Sequence, residues 1–285
     1  MNSAMTEFRL TQVSDTHLSR AARFASLTDN FHRVSEHIDA TRPDLVINSG
    51  DVSWDGPTNR SDLEYAKEQH TALPVNCRYL PGNHDIGDNP TAVGVEPSQR
   101  ANEKDRAAFV EIFGEDRFQF EAAGWYFVGL NSLIMNTGIP SEAEQMDWFA
   151  EKLSAANGKP IALFLHKPLF LEAPEDPETP GTAIRFVPQP VRAQLVTMLG
   201  AHDVRLVASG HVHQRRDFTF GRTRHVWAPS AGFVIPNRMQ EVIGVKETGL
   251  VEYRFRPDSF EVRYVRAPGQ VDVSLDELFG DGSHG

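Results

Sequence analysis

The sequence predicts an α/β protein: a mainly parallel sheet covered by helices, with a second sheet packed on the first. Two patterns carry this. Short β-type runs alternate with amphipathic helical stretches as far as about residue 208, which is how parallel strands joined by crossovers read. From about Arg222 the alternation stops and strand patterns follow one another. No internal repeat, low-complexity tract or linker divides the 285 residues. One domain over 1–285 is therefore expected, with 222–285 supplying mainly strands and a C-terminal tail.

Each element has its own warrant. Apolar runs at 7–13, 45–48, 77–80, 125–130, 161–165 and 204–208 read as strands. Phe31, Val34 and Ile38 fall at helical spacing. Met146, Phe149, Ala150 and Leu153 do so behind Ser141 and Glu144, which predict a capping box. Val191, Leu195, Met198 and Leu199 form a third stripe, opened by Pro188 and Pro190. Residues 252–256 and 260–264, joined by Pro257-Asp258-Ser259, read as a hairpin. Two segments resist assignment: 86–102 is rich in Gly, Pro and Asn, and 171–188 is Pro-rich and carries four acids. Irregular stretches of this length are commonly binding loops or lids.

Composition bounds the function. Hydrophobic residues make up 40% and charged residues 24%, the balance of a globular chain. The net charge is −11, which argues against binding a nucleic-acid polymer or an anionic lipid surface as the main activity. A phosphorylated small molecule is still admitted, because a bound cation inverts the local field. The single cysteine, Cys77, excludes an intrachain disulfide and a multi-thiolate zinc site. It lies in an apolar run and reads as a small buried hydrophobe. No stretch approaches the ~18–20 apolar residues of a membrane span. The start, MNSAMTEF, lacks the basic and apolar regions of a signal peptide, so a cytoplasmic location is expected. Met5 is an alternative start, which would make residues 1–4 an added remnant.

The chemistry gathers where strands end. The first is followed by Ser14-Asp15-Thr16-His17, the second by Ser49-Gly50-Asp51, and the third by Pro81-Gly82-Asn83-His84-Asp85. The strand at 161–165 is followed by His166, and that at 204–208 by Ser209-Gly210-His211-Val212-His213. In an open α/β sheet the carboxyl ends of the strands form the ligand crevice, so these residues should converge. Asp15, His17, Asp51, Asn83, His166, His211 and His213 offer mixed oxygen and nitrogen donors. Such a set suits manganese, iron or zinc and is too nitrogen-rich for calcium or magnesium. Seven ligands exceed one tetrahedral site. One shared carboxylate would give two four-ligand sites, the arrangement for two-metal hydrolysis. The glycines at 50, 82 and 210 let the backbone approach the site closely.

Taken together, Asp-x-His, Gly-Asp, Gly-Asn-His-Asp, His and Gly-His-x-His in this order resemble the calcineurin-like metallophosphoesterase superfamily. The longer forms Ser-Asp-Thr-His-Leu and Gly-His-Val-His-Gln resemble its class III cyclic-nucleotide phosphodiesterases. The resemblance spans Asp15 to His213. It implies a four-layer α/β/β/α sandwich of two mixed sheets flanked by helices. It also implies roles: Asp15, His17 and His213 on one metal, Asn83, His166 and His211 on the other, and Asp51 bridging both. His84 would meet the phosphate and the leaving-group oxygen, with Asp85 orienting its ring. Many members of that branch place a second histidine after the one matched by His166, whereas Lys167 stands here.

The expected activity is a metal-dependent phosphoester hydrolase with two divalent ions, acting on cyclic nucleotides or other small phosphodiesters. A phosphomonoesterase of the same superfamily is the alternative, and Lys167 favours it. A non-catalytic metal-binding scaffold is an alternative of another class, opposed by the presence of both His84 and Asp51. A homo-oligomer is compatible with the sequence. The segments at 86–102 and 171–188 are both expected to overhang the metals, with the acids of the second, Glu172, Glu175, Asp176 and Glu178, repelling a monoester more than a diester. Those acids otherwise read as a solvated face rather than a third metal site. Trp54 and Asp55 border the site, with packing as the expected role of the tryptophan. Arg20, Arg23 and Asn59 read as solvated loop residues. His32, His37, His70, His202, His225 and His284 read as surface or hydrogen-bonded core histidines.

Overall fold

The computed structural model describes residues 7–90, 95–179 and 182–279, so residues 1–4, Met5 and His284 lie outside the described residues. Among the described residues eleven strands form two mixed sheets. In the first, β1 (Phe8–Val13), β2 (Leu45–Asn48) and β3 (Cys77–Tyr79) run parallel. β10 (Leu250–Arg256) pairs antiparallel with β1, and β11 (Ser259–Val265) with β10. In the second, β5 (Trp125–Gly129), β6 (Ile161–Phe164), β7 (Val204–Ser209) and β9 (Thr223–Trp227) are parallel. Antiparallel edge strands β4 (Phe118–Ala122) and β8 (Arg216–Phe220) close it.

The sequence reading places the second sheet in the wrong part of the chain. The late hairpin β10–β11 extends the first sheet, and the second sheet comes from the middle. β1 offers its free edge to β10, whereas β5 to β9 already pair with one another. Three strands, β4, β8 and β9, also escape the pattern of separate apolar runs. β4 and β5 turn through Ala123-Gly124, both at positive φ, with alanine where the turn usually shows Asn or Asp. β8 is half exposed and carries little apolar signal.

Alternation of side chains across the strands builds three apolar layers. Leu10, Ile47, Phe127, Phe164, Leu206 and Phe255 face one another between the sheets. Their neighbours Val46, Tyr79 and Val13 point outward, against α1 (Ala25–Thr41), α2 (Arg60–Thr71) and α4 (Glu103–Phe113), with the one-turn α3 (Asn83–Ile86) following β3. Val128, Leu163 and Val207 likewise meet α5 (Pro140–Ala155) and α6 (Gln189–Gly200) on the far side. The result is the four-layer α/β/β/α sandwich. α1 buries Leu27, Phe31, Val34 and Ile38 along one face, as its spacing predicts. α6 buries Val191, Leu195 and Leu199. α2 was not legible because Leu63, Ala66 and His70 are its main buried positions in a polar run.

The predicted capping box of α5 does not form. Pro140 is already helical. The Ser141 amide and hydroxyl both donate to the Glu103 carboxylate, at 3.0 and 2.8 Å, so the serine joins α5 to α4 instead. Cys77 is half-buried rather than buried, packed on the α-side of the first sheet. Among the described residues, no helix is long and apolar enough to cross a membrane.

Candidate metal centre

The carboxyl ends of β1, β2, β3, β6 and β7 meet at one edge of the sandwich. A buried polar network forms the floor beneath them. Tyr253 Oη donates to Gln12 Oε1 at 2.7 Å, and Gln12 Nε2 donates to Ser49 Oγ at 2.9 Å and to the Ser209 carbonyl at 3.2 Å. This network links β10, β1 and the residues ending β2 and β7, and so fixes one sheet against the other.

Above this floor all seven predicted ligands converge. Asp15, His17, Asp51 and His213 each bring one ligand atom within 4.8 Å of the others. Asp51, His166 and His211 form a second such group. Asn83 Oδ1 lies 3.3 Å from His166 Nε2 and so joins that group. Asp51 belongs to both: its Oδ2 is 3.6 Å from His17 Nε2 and 3.3 Å from His166 Nε2.

The backbone is bent to achieve this. Nine described non-glycine residues have positive φ, and Asp15, His17, Asp51, His211 and His213 are five of them. A left-handed conformation costs an ordinary residue roughly 1–2 kcal/mol, so the strain is concentrated at the site. All three predicted glycines make close approaches that a side chain would block, Gly210 against Ser14 and Asp15. A Cβ on Gly82 would collide with Asp51, and one on Gly50, itself at φ +115, would collide with the His166 ring. Backbone bonds then tie the turns together. The Asp15 amide donates to the Gly50 carbonyl at 2.9 Å, the His17 amide to the Asp51 carbonyl at 2.9 Å, and the Gly210 amide to the His166 carbonyl at 2.9 Å.

Ring orientation decides which nitrogens face inward. A carbonyl oxygen only accepts, so a ring nitrogen bonded to it carries the proton. His166 Nδ1 donates to Ser49 at 2.9 Å, His211 Nε2 to Ile184 at 2.9 Å, and His213 Nδ1 to Phe233 at 3.2 Å. The opposite nitrogens therefore present lone pairs to the centre. Those lone pairs are crowded: His166 Nε2 and His211 Nδ1 are 3.1 Å apart, as are His17 Nε2 and His213 Nε2. His17 Nδ1 is buried without a partner. Nitrogens packed at this distance need a proton or a metal cation between them, and the mixed oxygen–nitrogen set fits a divalent transition metal.

Electrostatics agree. Burial, with His84 nearby, holds His17 well below the usual imidazole range, and burial with His166 does the same to His211. Neutral imidazole is the metal-binding form. Burial would raise Asp51, but His166 and His84 hold it well below the carboxylate range, so it stays ionised. His166 differs: burial would lower it, yet the Asp51 carboxylate overcomes burial and raises the ring to about 9, so a metal ion entering here must displace the Nε2 proton.

His84 lies beside the ligands rather than among them. Its amide donates to Asp51 Oδ1 at 2.9 Å, and its Nδ1 donates to the Trp54 carbonyl at 2.6 Å, leaving Nε2 free. This corrects the role expected of Asp85. That carboxylate does not orient the His84 ring. It accepts from the amides of Val52, Ser53 and Gly82, at 3.1, 2.9 and 2.8 Å, and from Ser53 Oγ at 2.7 Å. Asp85 braces the two turns that carry Asp51 and Asn83, and the Trp54 carbonyl sets the His84 ring. No side-chain pattern announces a backbone acceptor, so sequence reading misses it. Trp54 does pack, stacking on Phe24 at 4.1 Å, but it also lines the cleft.

The overhanging segments also differ from expectation. Residues 171–188 reach the cleft through Ile184 and Arg185, and the four acids do not line it. Glu172 pairs with Arg216. Asp176 accepts the amides of Leu171, Glu172 and Ala173, at 2.9, 2.7 and 3.2 Å. Glu178 accepts from the Gln189 amide at 2.6 Å, and Glu175 is exposed. These carboxylates hold the loop and supply no repulsive wall over the centre. Lys167 is fully buried and paired with Asp88 on the first overhanging segment. Arg20 pairs with Glu68, and Arg23 lies over Phe24.

The cleft has two lobes. A larger one of about 600 Å³ is walled by the centre itself and by Phe233, Met239, Leu275 and Phe279. A smaller one of about 440 Å³ is walled by Thr58, Ser98, Gln99 and Arg100. Trp54, Asn83, His84 and Ile184 line both.

The fold is a four-layer α/β/β/α sandwich, and its buried Asp/His cluster is suited to a two-metal site. The calcineurin-like phosphoesterase family model matches residues 8–215, and the chain belongs to that family. It is similar to the serine/threonine-protein phosphatase CPPED1 of Mus musculus, at 30% identity over 190 residues, 63% of this chain and 56% of that protein. The rat protein of the same name aligns at 27% over the same shares. The chain thus spans little more than half the length of these relatives. It is also similar to a cAMP/cGMP dual specificity phosphodiesterase of Mycobacterium tuberculosis, at 24% over 230 residues, 75% of this chain and 64% of that one. Among solved structures, a dimetal phosphatase from Danio rerio superposes with a TM-score of 0.61 at 12% identity, over 90% of this chain and 98% of its own. A purple acid phosphatase from yellow lupin gives 0.66 at 14%, over 97% and 55%. These structures share the fold.

Proposed function

We propose that this chain is a two-metal phosphodiesterase for small phosphodiesters. One ion would be held by Asp15, His17, Asp51 and His213, and the other by Asp51, Asn83, His166 and His211. The observation that carries this reading is the Asp51 carboxylate, common to both ligand groups. Manganese, iron or zinc fits the donor set. Such ions, when bound, supply a water of lowered pKa and charge neutralisation for the phosphoryl group.

The remaining work falls to the chain itself. The Trp54 carbonyl keeps the His84 proton on Nδ1 in the neutral ring. When protonated, Nε2 donates to a phosphoryl oxygen and can pass its proton to the departing alkoxide. Asp85 keeps the turns of Asp51 and Asn83 in register. Trp54 and Ile184 cover the centre from either side of the divide. The cyclic-nucleotide phosphodiesterase among the similar proteins supports a diester, cyclic nucleotides included. The similarity to a serine/threonine-protein phosphatase favours the second reading, a phosphomonoesterase. Manganese-loaded protein assayed on bis-p-nitrophenyl phosphate, p-nitrophenyl phosphate and cyclic nucleotides decides between them. The diesters should give the higher kcat/KM. A preference for the monoester replaces the first reading with the second.

A further inference from the structure

We infer that the cleft is shaped for an acyclic phosphodiester with two unlike arms, one aromatic and one polyhydroxylated. The inference rests on the diesterase reading above and narrows it. His84 lines both lobes, so it stands at their divide. A phosphoryl group in contact with His84 directs one ester oxygen toward each lobe. A monoester has a single arm and fills one lobe. A cyclic nucleotide returns both ester oxygens to one sugar and also leaves a lobe empty. An acyclic diester fills both.

The walls state which arm goes where. In the larger lobe the Trp54 ring lies 6.0 Å from Phe233 and 5.7 Å from Phe279, with Leu275 and Met239 beside them. These rings touch one another and so present one continuous aromatic wall, the surface on which the edge or face of a further ring packs. Met239 is 40% exposed, so its apolar side chain is open to a ligand in this lobe. The smaller lobe is the chemical opposite. Thr58, Ser98 and Gln99 both donate and accept, and Asp55 and Asp105 only accept. Arg100 bonds the Val95 carbonyl at 3.4 Å through Nε and one terminal nitrogen, which leaves other N–H groups for a ligand. Asp88, also on this wall, is paired with buried Lys167. Two carboxylates against one free guanidinium disfavour an anionic arm, and hydroxyl groups can satisfy both signs.

The test uses the full-length, manganese-loaded protein and three diesters with the same p-nitrophenolate leaving group. Their second arms are methyl, phenyl and glyceryl. The glyceryl diester should show kcat/KM about tenfold above the other two. Arg100→Leu should reduce that advantage to less than threefold. Phe279→Ala should lower kcat/KM about tenfold on all three, because the p-nitrophenyl arm occupies the larger lobe. A second measurement needs no turnover: the calorimetric Kd of a phosphinate bearing one benzyl and one dihydroxybutyl arm, both carbon-linked, should weaken about tenfold in each variant. Equal kcat/KM for the three second arms overturns the inference, as does a cyclic nucleotide hydrolysed faster than the glyceryl diester. Turnover of p-nitrophenyl phosphate with none of the diesters overturns the diesterase reading itself.

Discussion

Asp51 and His84 are neighbours through one hydrogen bond, yet they answer to different experiments. Asp51 serves both ligand groups, so Asp51→Ala should lose both ions, read as a fall from about two metals per chain to below one by elemental analysis. Retention of two ions would remove the bridge. His84→Ala should keep its metals and lose ~10²–10⁴ in rate, the usual share of general acid–base help. The loss should be larger for a ribose alkoxide than for p-nitrophenolate, which leaves without a proton. Equal losses would reduce His84 to a phosphate contact. The ligands were legible because each is a titratable or amide side chain directly after an apolar strand, a position with no packing motive. The support around them was less so. The partner of His84 is a backbone carbonyl, and the resemblance implied for Asp85 a role that its four bonds to neighbouring turns contradict.

At the level of single elements, strands with continuous apolar runs were read within a residue or two, as β2 and β6 illustrate. Edge strands and polar helices were not, because their faces look to water and the apolar period fades. The edge strand β8 covers an element with a titratable core. His225 of β9 is buried, stacked on Phe218 at 5.0 Å and facing Phe170 at 4.8 Å. Burial lowers its pKa from the ordinary value to about 4. The folded pKa is below the unfolded one, so the stabilisation is complete above about pH 6.5 and is lost as pH falls toward 4. A gap of this size is worth about 3 kcal/mol. In chelated protein, His225→Phe should therefore show a smaller drop in urea midpoint between pH 7.5 and 5 than the parent chain. Parallel pH curves for the two proteins would show that His225 does not titrate in this window.

The whole molecule is two sheets clamped at one edge. Asp15, His17, Asp51 and Asn83 follow strands of the first sheet, and His166, His211 and His213 follow strands of the second. Bound ions would thus link the sheets, and their removal should be felt globally. At a free ion concentration 100-fold above Kd, one site stabilises the folded state by ~2.7 kcal/mol. For a chain of this size that is about 5–10 °C in Tm. Chelation should lower Tm by at least that much, and added manganese should restore it in a concentration-dependent way. A Tm indifferent to chelator would mean that the ligands are held by the protein alone.

The pairing of β1 with β10 has a bearing on how the chain is made. Register runs from Phe8 opposite Phe255 to Gln12 opposite Val251, so a strand near the start waits for one near the end. On a ribosome delivering residues from the N-terminus, the second sheet is complete once Trp227 emerges, and every residue of the metal centre has emerged by His213. The first sheet has at that stage only three strands and an open edge along β1, with Phe8 and Leu10 of the inter-sheet layer lacking Tyr253 and Phe255. Nascent chains halted between Trp227 and Leu250 would thus carry all the candidate metal ligands on a half-covered core.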